Sequence, residues 1–382
     1  MRFLSRCALA PTRWCLGCAC VIAALTAAAA AGQTAAQAPA ADASAFPGAS
    51  WDAAAAGSWS VPRLEALRAF LKTTATTALM VLDDGRPVFE YGDLTRVSKV
   101  ASVRKSVLAL LFGKDVEAGR IDLARTVKQL GLDDVQPFMP VEEAATLEQL
   151  LAARSGVYLP AGNEELTVLS PRRGSQPPGT YFQYQNWDFN AAGAAFEKIT
   201  GRDIFEAVEQ DLARPLQMQD FSKARQRKNS SMPDSRFPEY AMYFSTRDMA
   251  RLGLLMLRGC KWREAQVVPR PWCQRITTLV TPQRDIHPFP LGSGAWANHW
   301  GYGLLWWVWD AGEPKGSVSG PYSGAYSAMG AYGQYITVLP TLDLVVAHKV
   351  DFDEAEAQGR TVPGVGPHEY DAILQLVIAA QP

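Results

Sequence analysis

The sequence is short of the residues on which most metal and nucleic-acid chemistry depends. Four histidines, His287, His299, His348 and His368, are scattered through 382 residues with no His-Glu-x-x-His or other ligand spacing, so zinc-dependent hydrolysis is not indicated and no metal or organic cofactor is expected. No Gly-x-Ser-x-Gly occurs, which argues against an α/β-hydrolase. Positive charge is not in excess: 37 basic side chains face 38 acidic ones, leaving nothing to attract nucleic acid. Cysteine is scarce beyond the first twenty residues, which hold Cys7, Cys15, Cys18 and Cys20 of the six.

What is present is an ordinary globular composition, 48% hydrophobic and 20% charged, with ample material for a large core. Residues 1–31 stand apart. Arg2, Arg6 and Arg13 precede an uncharged run from Trp14 to Ala31 that ends in alanines, the layout of a secretory signal peptide. A membrane anchor is the alternative, since the run is near the lower length limit for spanning a bilayer; lipidation at Cys18 is a third, with Cys15 standing where Leu would be usual. Without this leader 34 basic side chains face 38 acidic ones, a net charge of −4. A periplasmic or secreted protein follows, with membrane contact only if the leader is retained or lipidated. Cys260 and Cys273 are then the cysteines of the mature chain, and in an exported protein they suggest one bridge closing "CKWREAQVVPRPWC". Two separate buried thiols are the alternative.

Residues 32–60 are small, Pro- and Gly-punctuated and unpatterned, and read as a tether or wrapping arm, a flexible segment ahead of one folded domain over 61–382. In "VPRLEALRAFLK", Leu64, Leu67 and Leu71 fall at helical spacing, and "ALMVLDDGRPVFEYG" is a pair of β-rich runs about Asp84-Gly85, a hairpin signal. Helical patterns then follow at 102–117, 146–153, 187–199, 203–212 and 246–258. The chain returns to β with "GYGLLWWVWD", "GAYSAMGAYGQYITVLP" and "LDLVVAHKV", before a last helix at 367–379. Strands at both ends of the chain around a helical insertion predict an α+β fold: one antiparallel sheet from about 61–100 and 295–382, flanked by helices, with a mostly helical lobe from about 101–294.

In "ASVRKSVLALLFG", a helix begun near Ser102 places Val103, Val107, Leu108, Leu110, Leu111 and Phe112 around most of its circumference and leaves Ser102, Lys105, Ser106 and Ala109 as a narrow stripe. A helix so apolar is buried, and its polar stripe requires a partner or a task. Burial and the positive end of the helix dipole both disfavour a protonated Lys105, which predicts an amine available near physiological pH, one turn from the Ser102 hydroxyl. A serine becomes a nucleophile when a neighbouring base takes its proton. A helix-capping Ser102 beside an outward-reaching Lys105 is the bland alternative.

Further on, "PPGTYFQYQNWDFNAAG" carries Tyr184 and Asn186, two apart and so pointing the same way in an extended loop, with a helix expected after Trp187. A phenol can relay a proton, and a carboxamide can hold a lysine and a substrate amide; a buried aromatic and a capping Asn explain the same residues blandly. Ser-x-x-Lys and Tyr-x-Asn each occur once. Trp296, Trp300, Trp306, Trp307, Trp309, Met329, Tyr332 and Tyr335 read as core more readily than as a substrate cleft, and "RSGVY" as a turn.

At these residues the chain resembles serine hydrolases related to class C β-lactamases, DD-peptidases, bacterial carboxylesterases and 6-aminohexanoate-dimer hydrolase. "TLEQLLAARSGV", "STRDMARLGLLML" and "GAYGQYITVLPTLDLVV" look like stretches of the same enzymes in the same order, over about residues 60–380. The resemblance implies a β-lactamase/transpeptidase-like fold, Ser102 as nucleophile, Lys105 as base, Tyr184 as proton relay and Asn186 as a substrate contact. One element departs. The lactamases and peptidases among them carry Lys-Thr-Gly on the strand beside the nucleophile, whereas "GAYSAMGAYGQ" has no cation; backbone N–H groups near Ser327 or Ala328 are left to hold an oxyanion. The expectation is therefore an esterase or amidase acting on a small ester or amide, with a β-lactamase or DD-peptidase as the alternative and a non-catalytic envelope binding module as the alternative of another class.

Overall fold

The computed structural model describes residues 46–163, 170–230, 234–286, 299–310, 320–362 and 364–382; the expected leader, the first part of the arm, His287 and Trp296 lie outside them. Among the described residues the main sheet is antiparallel and has seven strands, in the spatial order Arg86–Gly92, Ala78–Asp83, Leu344–Lys349, Gln334–Leu339, Tyr326–Gly330, Trp307–Trp309 and Trp300–Tyr302. The two chain ends meet between its second and third strands, in a register running from Ala78 opposite Lys349 to Asp83 opposite Leu344. The first hairpin turns on Asp84 (φ 47°) and Gly85 (φ 74°), the two left-handed residues that match a turn to strand twist.

The strands Gln334–Leu339 and Leu344–Lys349 are buried along their whole length because both faces are covered. On one face lies the helix Pro367–Ala380, whose Tyr370 ring stacks on Tyr335 with centroids 3.8 Å apart. Beside it runs Val61–Leu71, where Arg68 sits over the Phe89 ring. The other face carries Thr246–Leu257, which by chain position was expected in the helical lobe. It lies on the sheet at Gly253, where a Cβ would stand 2.3 Å from Val345 Cγ1; the missing side chain permits the approach.

The helical lobe is centred on Val103–Glu117, buried at every position from Val103 to Gly113. Around it stand Leu147–Leu151, Asn186–Thr200, Ile204–Val208 and Arg270–Ile276. The run expected as one helix over 203–212 instead passes into a π turn at Glu209–Ala213. Likewise "GYGLLWWVWD" is a hairpin of two short strands, reversing near Leu305 (φ 62°). Residues 46–60 wrap the body: Trp59 Nε1 donates to Asp83 (2.7 Å), Arg251 donates to the Gly48 carbonyl (3.0 Å), and Phe46 meets Trp262 edge-on. A disulfide joins Cys260 to Cys273, with Cα atoms 6.3 Å apart.

Candidate active site

Ser102 stands where a short strand gives way to the central helix. Ser98–Lys99 pairs with Tyr243–Phe244, Val100 N–H donates to Met242 O (3.0 Å), and Ala101 turns the chain through a left-handed conformation (φ 44°) that is costly for alanine and kept by its surroundings. Ser102 follows at φ −74°, ψ −7°, and its hydroxyl makes no capping bond to the helix. The side chain is thus free of the local task that usually explains a serine at a helix start.

Lys105 lies one turn later and is 2% exposed. Its Nζ stands 2.8 Å from Ser102 Oγ and 2.9 Å from Tyr184 OH, above the Tyr184 ring (4.3 Å) and the Phe189 ring (4.7 Å). Tyr184 is held by aromatic neighbours, with Phe189, Trp307 and Tyr302 at centroid distances of 5.1, 5.5 and 6.0 Å. One buried amine therefore touches two hydroxyls, one half-exposed and the other half-buried against an apolar wall. This arrangement can pass a proton from one oxygen to the other through a single nitrogen.

Asn186 is the first residue of its helix, capped by extended Gln185, so the helix starts one residue earlier than periodicity suggests. Its Oδ1 accepts from Arg104 Nη2 (3.4 Å), and Asn190, one turn on, accepts from the same nitrogen (3.1 Å). Arg104 is 2% exposed and pairs through Nε with Glu239 Oε1 (3.5 Å). Burial would raise the Glu239 carboxyl, but the charges of Arg104 and Lys99 outweigh it and hold it below the usual range. Sequence reasoning left Arg104, Asn190 and Glu239 unassigned. The argument applied to Lys105 covers Arg104 equally, since both are cations on a helix apolar all round.

The strand Tyr326–Gly330 completes the corner. The Ser327 hydroxyl meets Thr337 Oγ1 at 2.8 Å, which in turn meets Tyr370 OH at 2.7 Å. That side chain is committed to the sheet face away from Ser102. Ala328 faces the other way: it pairs with Ile336, the neighbour of Gly253. Two residues on, a Cβ at Gly330 would lie 3.0 Å from Ser102 N and 2.7 Å from Val100 O. A glycine here lets the strand end press against the backbone of the serine. Among the described residues no cluster of His, Cys, Asp and Glu could hold a metal ion.

Two further buried ionisable groups flank this corner. Asp188 accepts from Ser155 Oγ (2.5 Å) and Gln185 Nε2 (3.2 Å); burial lifts its carboxyl to about 8 against those two bonds. It ties the "RSGVY" turn to the Tyr184 loop. Lys349, also 2% exposed, donates to Ser98 O (2.9 Å) and Phe244 O (2.6 Å), the paired residues of the strand that leads into Ser102. Burial brings it down to about 7.

Residues 65–351 match the model of the family described as Beta-lactamase. The 6-aminohexanoate-dimer hydrolase of Paenarthrobacter ureafaciens is 23% identical over 326 residues, covering 74% of each chain. Among solved structures, a Bacillus anthracis protein provisionally named as a 6-aminohexanoate-dimer hydrolase superposes with a TM-score of 0.60 at 20% identity, over 88% of this chain and 86% of its own. EstCE1, a hydrolase with promiscuous acyltransferase activity, gives a TM-score of 0.55 at 13% identity, over 76% and 93%. At these identities the solved structures speak for the fold.

Proposed function

Since the chain belongs to the Beta-lactamase family and is a hydrolase of that serine-hydrolase superfamily, we propose that it cleaves a small ester or amide through an acyl-enzyme on Ser102. The observation that carries this reading is the Lys105 amine in contact with both Ser102 Oγ and Tyr184 OH. Lys105 takes the Ser102 proton as Oγ attacks the substrate carbonyl carbon. The Ser102 N–H and a strand N–H at Ala328 receive the oxyanion. Collapse breaks the bond to the leaving group, which takes its proton from Lys105 by way of the Tyr184 hydroxyl. Water then gives a proton to the same pair and attacks the acyl carbon, and the bond from that carbon to Ser102 Oγ breaks as Lys105 returns the proton to Oγ. Asn186 contacts the acyl portion, and no metal or organic cofactor enters.

The cation-free segment Gly324–Gln334 supports a substrate without a carboxylate at that strand, and the 6-aminohexanoate-dimer hydrolase relative supports a small amide. A β-lactamase or DD-peptidase is the second reading, favoured by the family match itself; rapid nitrocefin turnover or stable acylation by penicillin would promote it. Export to the periplasm or beyond is supported by the leader pattern of residues 1–31 and by the Cys260–Cys273 bridge.

The experiment is hydrolysis of p-nitrophenyl esters by wild type and Ser102→Ala. Loss of turnover in the variant is expected; unchanged turnover would overturn the assignment. A chain that neither turns over nor takes a fluorophosphonate label would instead be a binding module.

A further inference from the structure

Arg104 lies between the two residues of the Ser102–Lys105 pair in sequence, yet its side chain leads away from both. It is buried in an apolar helix, so it costs free energy unless its charge and its N–H groups are met. They are met by three groups from two other elements: Glu239 on the strand Glu239–Ala241, and Asn186 and Asn190 on the helix that begins beside Tyr184. Arginine only donates, so the atom Asn186 turns toward it is the carboxamide oxygen. That fixes the rotation of the amide, with the Nδ2 hydrogens directed away from the guanidinium.

The second consequence is electrostatic. Glu239 is 7% exposed, and it acts on Lys105 as well as on Arg104 and Lys99. Lys105 meets Tyr184 from its loop and the charge of Glu239 from its strand, and Glu239 is itself met by Arg104 and, from the strand Ser98–Lys99, by Lys99. A carboxylate left uncompensated in that surrounding would hold a proton on the amine. Arg104 sits where it compensates it.

We propose that Arg104 is a positioning residue of this site: clamped by Glu239, it sets the rotation of the Asn186 carboxamide and cancels the field of the Glu239 carboxylate at Lys105. The proposal rests on the reading of Lys105 as the base and of Asn186 as a substrate contact. It separates two effects of one side chain, and each has its own variant. Arg104→Lys keeps the charge and loses the planar fork. Arg104→Met loses both, and Arg104→Met combined with Glu239→Gln removes the stranded carboxylate.

The test measures kcat and KM for a p-nitrophenyl ester against pH in the folded full chain, together with an NMR titration of the Lys105 side chain. In Arg104→Met the rising limb of kcat/KM and the Lys105 midpoint both move about one unit to higher pH, so that the rate near neutrality falls about tenfold. The double variant returns both toward the wild-type position and keeps a raised KM. Arg104→Lys leaves the limb in place and raises KM alone. Should Arg104→Met fail to fold, Glu239→Gln alone decides the electrostatic half, because Arg104 is then uncompensated and the limb and the Lys105 midpoint move to lower pH, while Arg104→Lys decides the positioning half. A limb and a Lys105 midpoint that stay fixed in Arg104→Met, or in Glu239→Gln where Arg104→Met does not fold, or a KM that does not respond to Arg104→Lys, overturn the proposal. Were the wild type to hydrolyse no ester, the Lys105 titration would still rule on Arg104, and only the catalytic reading would fall.

Discussion

Two lysines in this protein are buried to the same degree, Lys105 and Lys349, each 2% exposed, and they do different things. Lys349 donates to two backbone carbonyls, Ser98 O and Phe244 O. Carbonyls only accept, so this nitrogen can do no more than staple two strands. Lys105 instead meets two hydroxyls, which accept and donate, so a proton has somewhere to come from and somewhere to go. Burial disfavours an ammonium in both places. What distinguishes a chemical lysine from a structural one here is the partner, and the partners differ because Lys105 shares a helix turn with Ser102 while Lys349 ends a central strand. The staple also serves the site, since the strand it fixes is the one that runs through Val100 and Ala101 into Ser102.

The comparison can be broken most sharply at Lys105. Replacing it with Met should leave the fold intact and lower kcat/KM for an ester by about 10³-fold or more, measured beside a thermal melt within a few degrees of wild type. An activity loss no greater than that of Lys349→Met would erase the distinction. Lys349→Met strands two buried carbonyls and should cost about 1–3 kcal/mol in denaturant unfolding; its effect on kcat is smaller and comes through a displaced Ser102.

The pH dependence of stability sharpens the comparison further. Lys349 titrates at about 7 in the folded chain against 10.5 for an ordinary lysine. Between those values the unfolded chain holds the proton and the folded chain does not, so stability rises with pH across this window, and the penalty of the buried charge is complete below it. Wild type minus Lys349→Met should therefore show an unfolding free energy that climbs from pH 7 to 10. A flat difference would mean that the buried ammonium is fully compensated by its two carbonyls.

Much of this architecture is legible in the sequence. The three leucines of Val61–Leu71, the Asp84-Gly85 turn and the apolar girth of Val103–Glu117 are local patterns, and local patterns survive folding when tertiary context agrees with them. Ser102, Lys105 and Tyr184 could be named because one helical turn and one loop bring them together. Arg104–Glu239 spans 135 positions, and no periodicity reveals that a strand near residue 239 will pass behind the nucleophile's helix. Thr246–Leu257 has an amphipathic pattern that fits either lobe; only the close approach at Gly253 decides for the sheet. The Ser327 hydroxyl turns away from Ser102 by pleat alternation: Gly330, pressed against Ser102 N, shares a face with Ala328 and not with Ser327. The arm from Phe46 to Trp59 looked unpatterned because its contacts are three scattered aromatics and the backbone carbonyls that Arg251 and Arg263 find.

The central claim, that Ser102 carries the acyl group, is tested most directly by acid-quenching the wild type within its first turnover of a p-nitrophenyl ester and mapping the modified peptide by mass spectrometry. The account predicts one acyl group per chain, on the peptide containing Ser102, absent from Ser102→Ala. An acyl group on another residue, or product release from a chain that is never acylated, would contradict it.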